Sequence, residues 1–242
     1  MKDMLRDKVI WVTGAMGLVG RASMEAFLAK GAFVFGTDIL KGEASPDIQR
    51  LQEAYGERLF LSVSDATDEQ QVKKSAFQVK EVFGRIDGLF HNVYTQIWKG
   101  VLELTLEEWN AVTAGTLTST FLVNKYAIAA MIEGGGGSIV NTSSILGKVP
   151  TKSTSAAYGS AKAAVNHLTR IIAVEYAKHG LRANAIIPGD IKNADSIIQD
   201  VDNLIGRSGR PEEVAELAAF LLSDLSAYIT GSLYPIDGGF MR

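Results

Sequence analysis

Residues 8–20, KVIWVTGAMGLVG, are the stretch that decides the fold. The segment begins with an apolar, β-branched run that is typical of a buried strand. Glycines follow at positions 14, 17 and 20, and glycine lets a backbone turn sharply and approach a ligand closely. A helical pattern over Ala22–Lys30 comes next. A strand, a glycine-rich turn and a helix in this order predict an α/β fold with a phosphate-binding loop at the strand end.

The same alternation of apolar runs and helical patterns continues along the chain. Strands are predicted at Lys8–Thr13, Ala32–Thr37, Leu59–Val63, Ile86–His91, Ser138–Asn141 and Arg182–Ile187. Further helices are predicted at Glu69–Phe83, Leu106–Ile132 and Ala156–His179. Continuous apolar strands separated by helices predict a parallel sheet covered on both faces. We therefore expect one Rossmann-type, doubly wound domain of about seven strands, spanning the whole chain.

Composition excludes several classes of function. The 242 residues are 47% hydrophobic, carry a net charge of −3 and include no cysteine, so disulfides, thiolate catalysis and zinc–thiolate sites are excluded. No basic stripe suggests a nucleic-acid partner, and the three histidines lack metal-site spacing. The most apolar stretch, Ala215–Leu222, is far shorter than the ~20 residues of a membrane span. We expect a cytoplasmic protein without a membrane partner or a metal.

Carboxylates follow the second and third predicted strands. Asp38 is placed to accept hydrogen bonds from an adenosine ribose and to repel a 2′-phosphate, although a solvated loop aspartate is an alternative. Lys41 is the only base nearby, so the sequence favours NAD over NADP. Asp65 is a candidate for holding the adenine amino group. Asp68 is a candidate helix N-cap, because Gln71 stands three residues later.

Tyr158 and Lys162 lie four residues apart at the start of a predicted helix, and therefore on one face. A lysine charge beside a phenol is expected to lower its pKa from about 10. Such a phenol can exchange a proton with an alcohol or a ketone. Ser144 follows the preceding strand and is placed to hydrogen-bond the reacting oxygen, although simple turn capping is an alternative.

With these motifs in order, the chain resembles the short-chain dehydrogenases/reductases, in their compact single-domain branch. The resemblance covers essentially the whole chain. It rests on the glycine loop, DGLFHN at 87–92, Ser144, the Tyr-x-x-x-Lys pair, Pro188-Gly189, GRSGRPEEV at 206–214, YITG at 228–231 and DGG at 237–239. Together these motifs are highly specific.

The resemblance implies an NAD(H)-dependent oxidoreductase that interconverts a secondary alcohol and a ketone. Ser144 would bind the substrate oxygen, Tyr158 would act as the acid/base, and Lys162 would tune Tyr158 and bind the nicotinamide ribose. The family also implies a homotetramer or homodimer built partly on the long helices. The implied cofactor site comprises Gly14, Met16, Gly17, Leu18, Val19, Asp38, Ile39, Asp65, Ala66, Asn92, Val93, Tyr158, Lys162, Pro188, Gly189 and Ile191.

Several positions depart from the family pattern. Leu18 stands where the compact branch usually has glycine, and His91-Asn92-Val93-Tyr94 replaces the usual Asn-Asn-Ala-Gly. Thr116 stands where the family places its fourth catalytic residue, an asparagine that helps to hold a proton-relay water. A hydroxyl differs from an amide in reach and donor number, so we expect an altered relay.

The substrate site is the least defined part of the sequence. Tyr94, Trp98 and Leu146 are candidate pocket residues. The lid segment expected over the substrate, Ala194–Leu204, is shorter than is usual in the family. Trp109 is expected to pack in the core. Sugar or polyol, cyclic alcohol, steroid-like and acyl-thioester substrates all stay open. The alternative function is a non-catalytic dinucleotide-binding sensor or scaffold.

Overall fold

The computed structural model describes residues 3–40, 46–152 and 155–242. These residues form a single domain around a seven-stranded sheet, and every pair of neighbouring strands is parallel. The strands are β1 (Val9–Thr13), β2 (Phe33–Asp38), β3 (Leu59–Val63), β4 (Gly88–His91), β5 (Gly137–Thr142), β6 (Leu181–Pro188) and β7 (Leu233–Ile236). The sheet order is β3-β2-β1-β4-β5-β6-β7. The predicted Rossmann-type sheet is confirmed, and the six apolar runs are all strands.

Helices connect the strands and cover both faces of the sheet. They are α1 (Leu18–Ala29), α2 (Pro46–Tyr55), α3 (Glu69–Phe83), α4 (Leu106–Thr113), α5 (Ser119–Glu133), α6 (Ala156–Tyr176) and α7 (Pro211–Leu222). Helix α3 has the predicted bounds, and the Asp68 carboxylate caps it by accepting the N–H groups of Gln70 and Gln71. Helix α1 begins four residues earlier than predicted, because the glycine loop leads directly into its first turn.

Two apolar layers hold the helices against the sheet. On one face, Phe27 of α1 meets Phe90 of β4 edge-on, with 5.8 Å between ring centres; helix α7 adds its alanines and leucines to this layer. On the other face, Trp11 of β1 and Met131 of α5 belong to a second fully buried cluster. Burial of side chains of this size stabilises the fold by about 1.5–3 kcal/mol each.

The predicted helix Leu106–Ile132 is interrupted. Helices α4 and α5 are separated by a π-helical turn at Ala114–Thr118, a feature frequent at functional sites. A Cβ at Gly115 would lie 2.0 Å from the Thr95 hydroxyl oxygen. Glycine is therefore required where this turn meets the segment that follows β4.

The surface includes one aromatic residue that was expected inside. Trp109 is 40% exposed, so its predicted core position was wrong. Within the residue ranges given above, no helix combines the length and the apolar character that a membrane span needs.

Candidate active site

A cleft of about 1000 Å³ opens at the carboxyl ends of the strands. It lies where the strand order reverses, between β1 and β4, which is the usual ligand position in such sheets. All predicted cofactor residues except Met16 line the cleft, and so do all four predicted substrate residues, Ser144, Tyr94, Trp98 and Leu146. The structure therefore brings most of the predicted site residues together in one cleft.

The glycine loop forms one end of the cleft. Gly14 has φ +67°, and a Cβ there would lie 2.8 Å from the Asn92 carbonyl oxygen. At Gly20 a Cβ would lie only 2.0 Å from the Gly14 carbonyl oxygen. The N-cap of α1 is Gly17, which offers no side-chain acceptor to the first helical turn. This turn therefore presents N–H groups and the positive end of the helix dipole, which fit a pyrophosphate.

The Asp38 carboxylate stands beside this loop. It accepts the Met16 N–H at 2.9 Å and the Leu40 N–H at 3.0 Å. These bonds fix its position and leave further acceptor capacity, which fits ribose hydroxyls. Met16 thus contributes its backbone N–H, which holds Asp38 in place. The sequence predicted Met16 in the cofactor site, but it does not line the cleft. Lys41, the base considered with Asp38, lies outside the described residues.

The third strand ends in a second carboxylate, which the structure places on the same side of the cleft. Asp65 and Ala66 line it with Asp38. One oxygen of Asp65 accepts bonds from the Thr67 N–H and hydroxyl, at 2.8 and 2.7 Å. The position fits the predicted contact with an adenine, and its local bonds fix the direction of the carboxylate.

Ser144, Tyr158 and Lys162 meet at the other end of the cleft. Tyr158 is 7% exposed and Lys162 1%. The Ser144 and Tyr158 hydroxyls interact with each other. The Lys162 ammonium donates to the Thr142 carbonyl at 2.6 Å, and its nitrogen lies 5.6 Å from the centre of the Tyr158 ring. The structure therefore assembles the three residues that the sequence singled out.

Burial is the largest influence on the pKa values of Tyr158 and Lys162. It raises the pKa of Tyr158 above its usual value, and Tyr94 raises it further, while the interaction with Ser144 opposes the shift. Burial also lowers the pKa of Lys162 to about 7. The expectation that Lys162 lowers the pKa of Tyr158 is therefore not met in the free protein. Both shifts arise because a low-dielectric pocket disfavours charge on either group.

Aromatic side chains form the wall next to Tyr158. The Tyr94 ring meets the Tyr158 ring edge-on, with 5.7 Å between centres, and the Lys162 nitrogen lies 5.6 Å from the Tyr94 centre. The ammonium thus lies within 5.6 Å of both ring centres, which is within the range of cation–π attraction. Trp98 lines the same region and is 59% exposed. Leu146 packs against the buried cluster that contains Tyr158.

Thr116 has a different position from the one predicted. It is fully buried and does not line the cleft. Its hydroxyl donates to the Thr95 carbonyl at 2.9 Å and accepts the Thr95 N–H at 3.1 Å. Its own carbonyl accepts the Thr120 hydroxyl. The side chain therefore holds the segment that carries Tyr94 and is not aimed at the reacting atoms.

Other cleft residues were not identified from the sequence. Gln96, Thr151 and Phe240 line the cleft, and Phe240 comes from the C-terminal end of the chain, where no motif pointed to it. The lid segment is tied at its base, because Ile191 pairs with Gly209. Of the described side chains between positions 195 and 208, none lines the cleft. The substrate end is accordingly open in the isolated chain.

Comparison with known proteins identifies the family. A family model described as enoyl-(acyl carrier protein) reductase matches residues 14–241. The chain is 36% identical to the cis-4-hydroxycyclohexanecarboxylate dehydrogenase of Sinomonas cyclohexanicum, over 99% of each protein. It is 38% identical to the 2,5-dichloro-2,5-cyclohexadiene-1,4-diol dehydrogenase of Sphingobium indicum, over 98% of each. The solved structure of a short-chain type dehydrogenase/reductase from Mycobacterium marinum matches with a TM-score of 0.90 and 31% identity, over 99% of this chain and 97% of that one. The fold, the motifs and these relatives agree, and the chain belongs to the short-chain dehydrogenase/reductase family of oxidoreductases.

Proposed function

We propose that this protein is an NAD-dependent dehydrogenase that oxidises the secondary hydroxyl of an alicyclic alcohol to a ketone. The observation that carries the proposal is the buried Ser144–Tyr158–Lys162 cluster at one end of a dinucleotide-sized cleft. Dehydrogenases of this family use a nicotinamide dinucleotide. Burial of such polar groups costs folding stability, and titratable groups with pKa values perturbed in this way cluster at functional sites.

The choice of NAD rests on Asp38. Its carboxylate is fixed by two backbone N–H groups at the ribose end of the cleft. A negative charge there accepts bonds from ribose hydroxyls and repels a 2′-phosphate. The glycine loop would hold the pyrophosphate, Asp65 the adenine, and Lys162 the nicotinamide ribose.

In the proposed reaction, the Tyr158 oxygen removes the proton from the substrate hydroxyl. The Ser144 hydroxyl donates a hydrogen bond to the substrate oxygen and holds it near Tyr158. A nicotinamide dinucleotide held by the glycine loop, Asp38 and Lys162 would supply the hydride acceptor and, in its oxidised form, would add a positive charge to the pocket. Lys162 and that charge favour the phenolate that burial disfavours in the free protein. The same residues return the proton in ketone reduction.

The alicyclic substrate class follows from the wall of the cleft and from the relatives. Tyr94 and Trp98 are half-exposed aromatic rings that line the substrate end, and Leu146 adds an apolar surface. Flat apolar faces next to a hydrogen-bonding pair fit a saturated ring with a hydroxyl group. The two dehydrogenases compared above both act on six-membered carbocycles according to their names.

The test is a panel of secondary alcohols, followed by NAD(P)H absorbance with NAD and NADP in parallel. Cyclohexanol, 4-hydroxycyclohexanecarboxylate and a cyclohexanediol are compared with 2-butanol and a sugar alcohol. We expect the ring alcohols to have kcat/KM at least tenfold above the acyclic ones, with NAD preferred. Preference for the sugar alcohol would contradict the substrate class. Tight NADH binding without turnover of any alcohol or ketone would favour a non-catalytic sensor.

We further propose a homo-oligomer that uses the long helices. Large apolar side chains stay exposed on α4, α5 and α6; they are Leu106, Trp109, Phe121, Ile171 and Val174. Contact with a second copy would remove this apolar surface from water. Light scattering measures the mass directly, and a monomer at micromolar concentration would contradict the proposal. A cytoplasmic location stays a prediction.

A further inference from the structure

A buried imidazole lies at the end of β4, where the family usually has asparagine. His91 is 1% exposed. Its Nδ1 is 2.7 Å from the Thr13 hydroxyl oxygen of β1, whereas its Nε2 is buried without a hydrogen-bond partner. An unpartnered buried nitrogen is rare in proteins, because it loses its bond to water on folding. The proposed reaction scheme gives this nitrogen no role.

The strand order shows which way the free nitrogen faces. β4 lies between β1 and β5, and His91 is in register with Thr13 on one side and Asn141 on the other. The two nitrogens of an imidazole point in nearly opposite directions. Because Nδ1 faces Thr13 of β1, Nε2 points away from β1. The Lys162 ammonium, held at the Thr142 carbonyl of β5, is close enough to act electrostatically on the ring.

The Lys162 ammonium has more donors than acceptors around it. An ammonium has three N–H donors, and the hydrogen bonds between described residues give its nitrogen one acceptor, the Thr142 carbonyl. The titratable groups that flank it are Tyr158 and Tyr94. Burial, with a further contribution from the charge of Lys162, lowers the pKa of His91 to about 3, so the ring is neutral at physiological pH. Within the described ranges, no carboxylate acts on either group.

We propose that His91 is a positioning residue for Lys162, whose ammonium is linked to the bare Nε2 through one buried water. The proton on the neutral ring is then on Nδ1 and is donated to Thr13. A bare nitrogen facing a cation is favourable, and an N–H facing it is not. The interaction keeps Lys162 charged beside Tyr158, a consequence that rests on the proposed function.

The tautomer can be measured without any activity. The chain has three histidines, so ¹⁵N-histidine labelling gives a simple NMR spectrum in which protonated and bare ring nitrogens are well separated. The His91 signals are those missing from a His91→Gln variant. We expect a neutral ring from about pH 5 to 9 with the proton on Nδ1. We also expect Lys162→Met to raise the Nε2-protonated fraction. A proton on Nε2 in the unmodified protein would overturn the proposal.

Two substitutions separate the two ring nitrogens. Glutamine places its amide near the Nε2 position, and asparagine places its amide near Nδ1, next to Thr13. We expect His91→Gln to keep kcat within about threefold. We expect His91→Asn to lower kcat about tenfold and to move the alkaline limb of the pH profile down by about one unit. The reverse order, or no change in either variant, would show that His91 acts only through Thr13. If no alcohol is turned over, the proposed function fails while the tautomer still decides the role of His91.

Discussion

The two ends of the cleft are built in different ways. The dinucleotide end is made of backbone: glycines at 14 and 20 leave no room for a side chain, and Asp38 is held by N–H groups. The catalytic end is made of buried side chains, with Tyr158 and Lys162 both almost inaccessible to water. At the first end, lack of space restricts which residues are tolerated. At the second end, the cost of burying charged side chains does so. Substitutions should therefore fail for different reasons at the two ends.

The largest effect is expected at Gly20. Alanine there would place a Cβ 2.0 Å from the Gly14 carbonyl oxygen, so we expect Gly20→Ala to destabilise the protein by about 3 kcal/mol or more and to abolish NADH binding. Gly17→Ala is the matched control, because its Cβ would lie 3.3 Å from the same oxygen and its φ is −69°. The Gly17→Ala variant should lose less than about 1 kcal/mol of folding stability. Equal urea unfolding midpoints for the two variants would contradict the claim that a side chain does not fit at position 20.

The second largest effect is a gain in folding stability when the buried Lys162 is replaced by an uncharged residue. The pKa of Lys162 falls from 10.5 to about 7 in the folded chain, so between these values the unfolded state binds the proton more tightly. Folding stability is therefore lost as pH falls from about 10.5 to 7, and the full penalty is present below 7. We expect Lys162→Met to stabilise the free protein at pH 7 by on the order of 2 kcal/mol, and this gain to fade toward pH 10.5.

Urea unfolding at both pH values measures this difference. Lys125→Met is a suitable control, because Lys125 is half-exposed and paired with Glu69, and such pairs contribute about 0–1 kcal/mol. A Lys162→Met protein less stable than the parent at pH 7 would contradict the charge penalty.

A smaller effect concerns cofactor choice. Asp38→Asn keeps the shape of the side chain but removes the charge that repels a 2′-phosphate. We expect the ratio of kcat/KM for NAD to that for NADP to fall about tenfold, a change of about 1.4 kcal/mol. Asp65→Asn serves as a control and should change both cofactors alike. An unchanged ratio in Asp38→Asn would show that selectivity arises elsewhere.

The smallest effect on kinetics is expected at Thr116, which holds the Thr95 backbone next to Tyr94. Thr116→Val removes both hydrogen bonds to the Thr95 backbone, so we expect a loss of about 1–2 kcal/mol and a KM for alcohol raised about threefold. Thr116→Ser keeps the hydroxyl and should behave like the parent. If serine and valine affect KM equally, the hydroxyl does not position the segment that carries Tyr94.

Sequence reasoning succeeded where the chemistry is local. The strand, glycine loop and helix are consecutive, so Gly14 and Gly20 were identified from spacing alone. Tyr158 and Lys162 are four residues apart in the sequence, so helix geometry alone predicts that they share one face. The Asp68 cap was recognisable because its partner Gln71 lies in the same turn.

The remaining features depend on contacts between distant segments. Thr116 turns to Thr95 because a π-helical turn interrupts the predicted helix. The pKa of Tyr158 rises because of burial and Tyr94, neither of which a spacing rule contains. In the sequence His91 is an isolated histidine, and only the fold shows that its Nδ1 meets Thr13 of β1 while its Nε2 is buried without a partner.

The most direct test of the central claim is Tyr158→Phe, with alcohol oxidation and NADH binding measured on the same preparation. The variant removes one oxygen from a buried ring and should leave the fold intact. We expect kcat/KM to fall at least about a thousandfold, because proton transfer by a positioned group contributes about 10²–10⁴, while the Kd for NADH changes by less than about threefold. A variant that keeps a tenth or more of the parent's activity, with ketone as the product, would contradict the account.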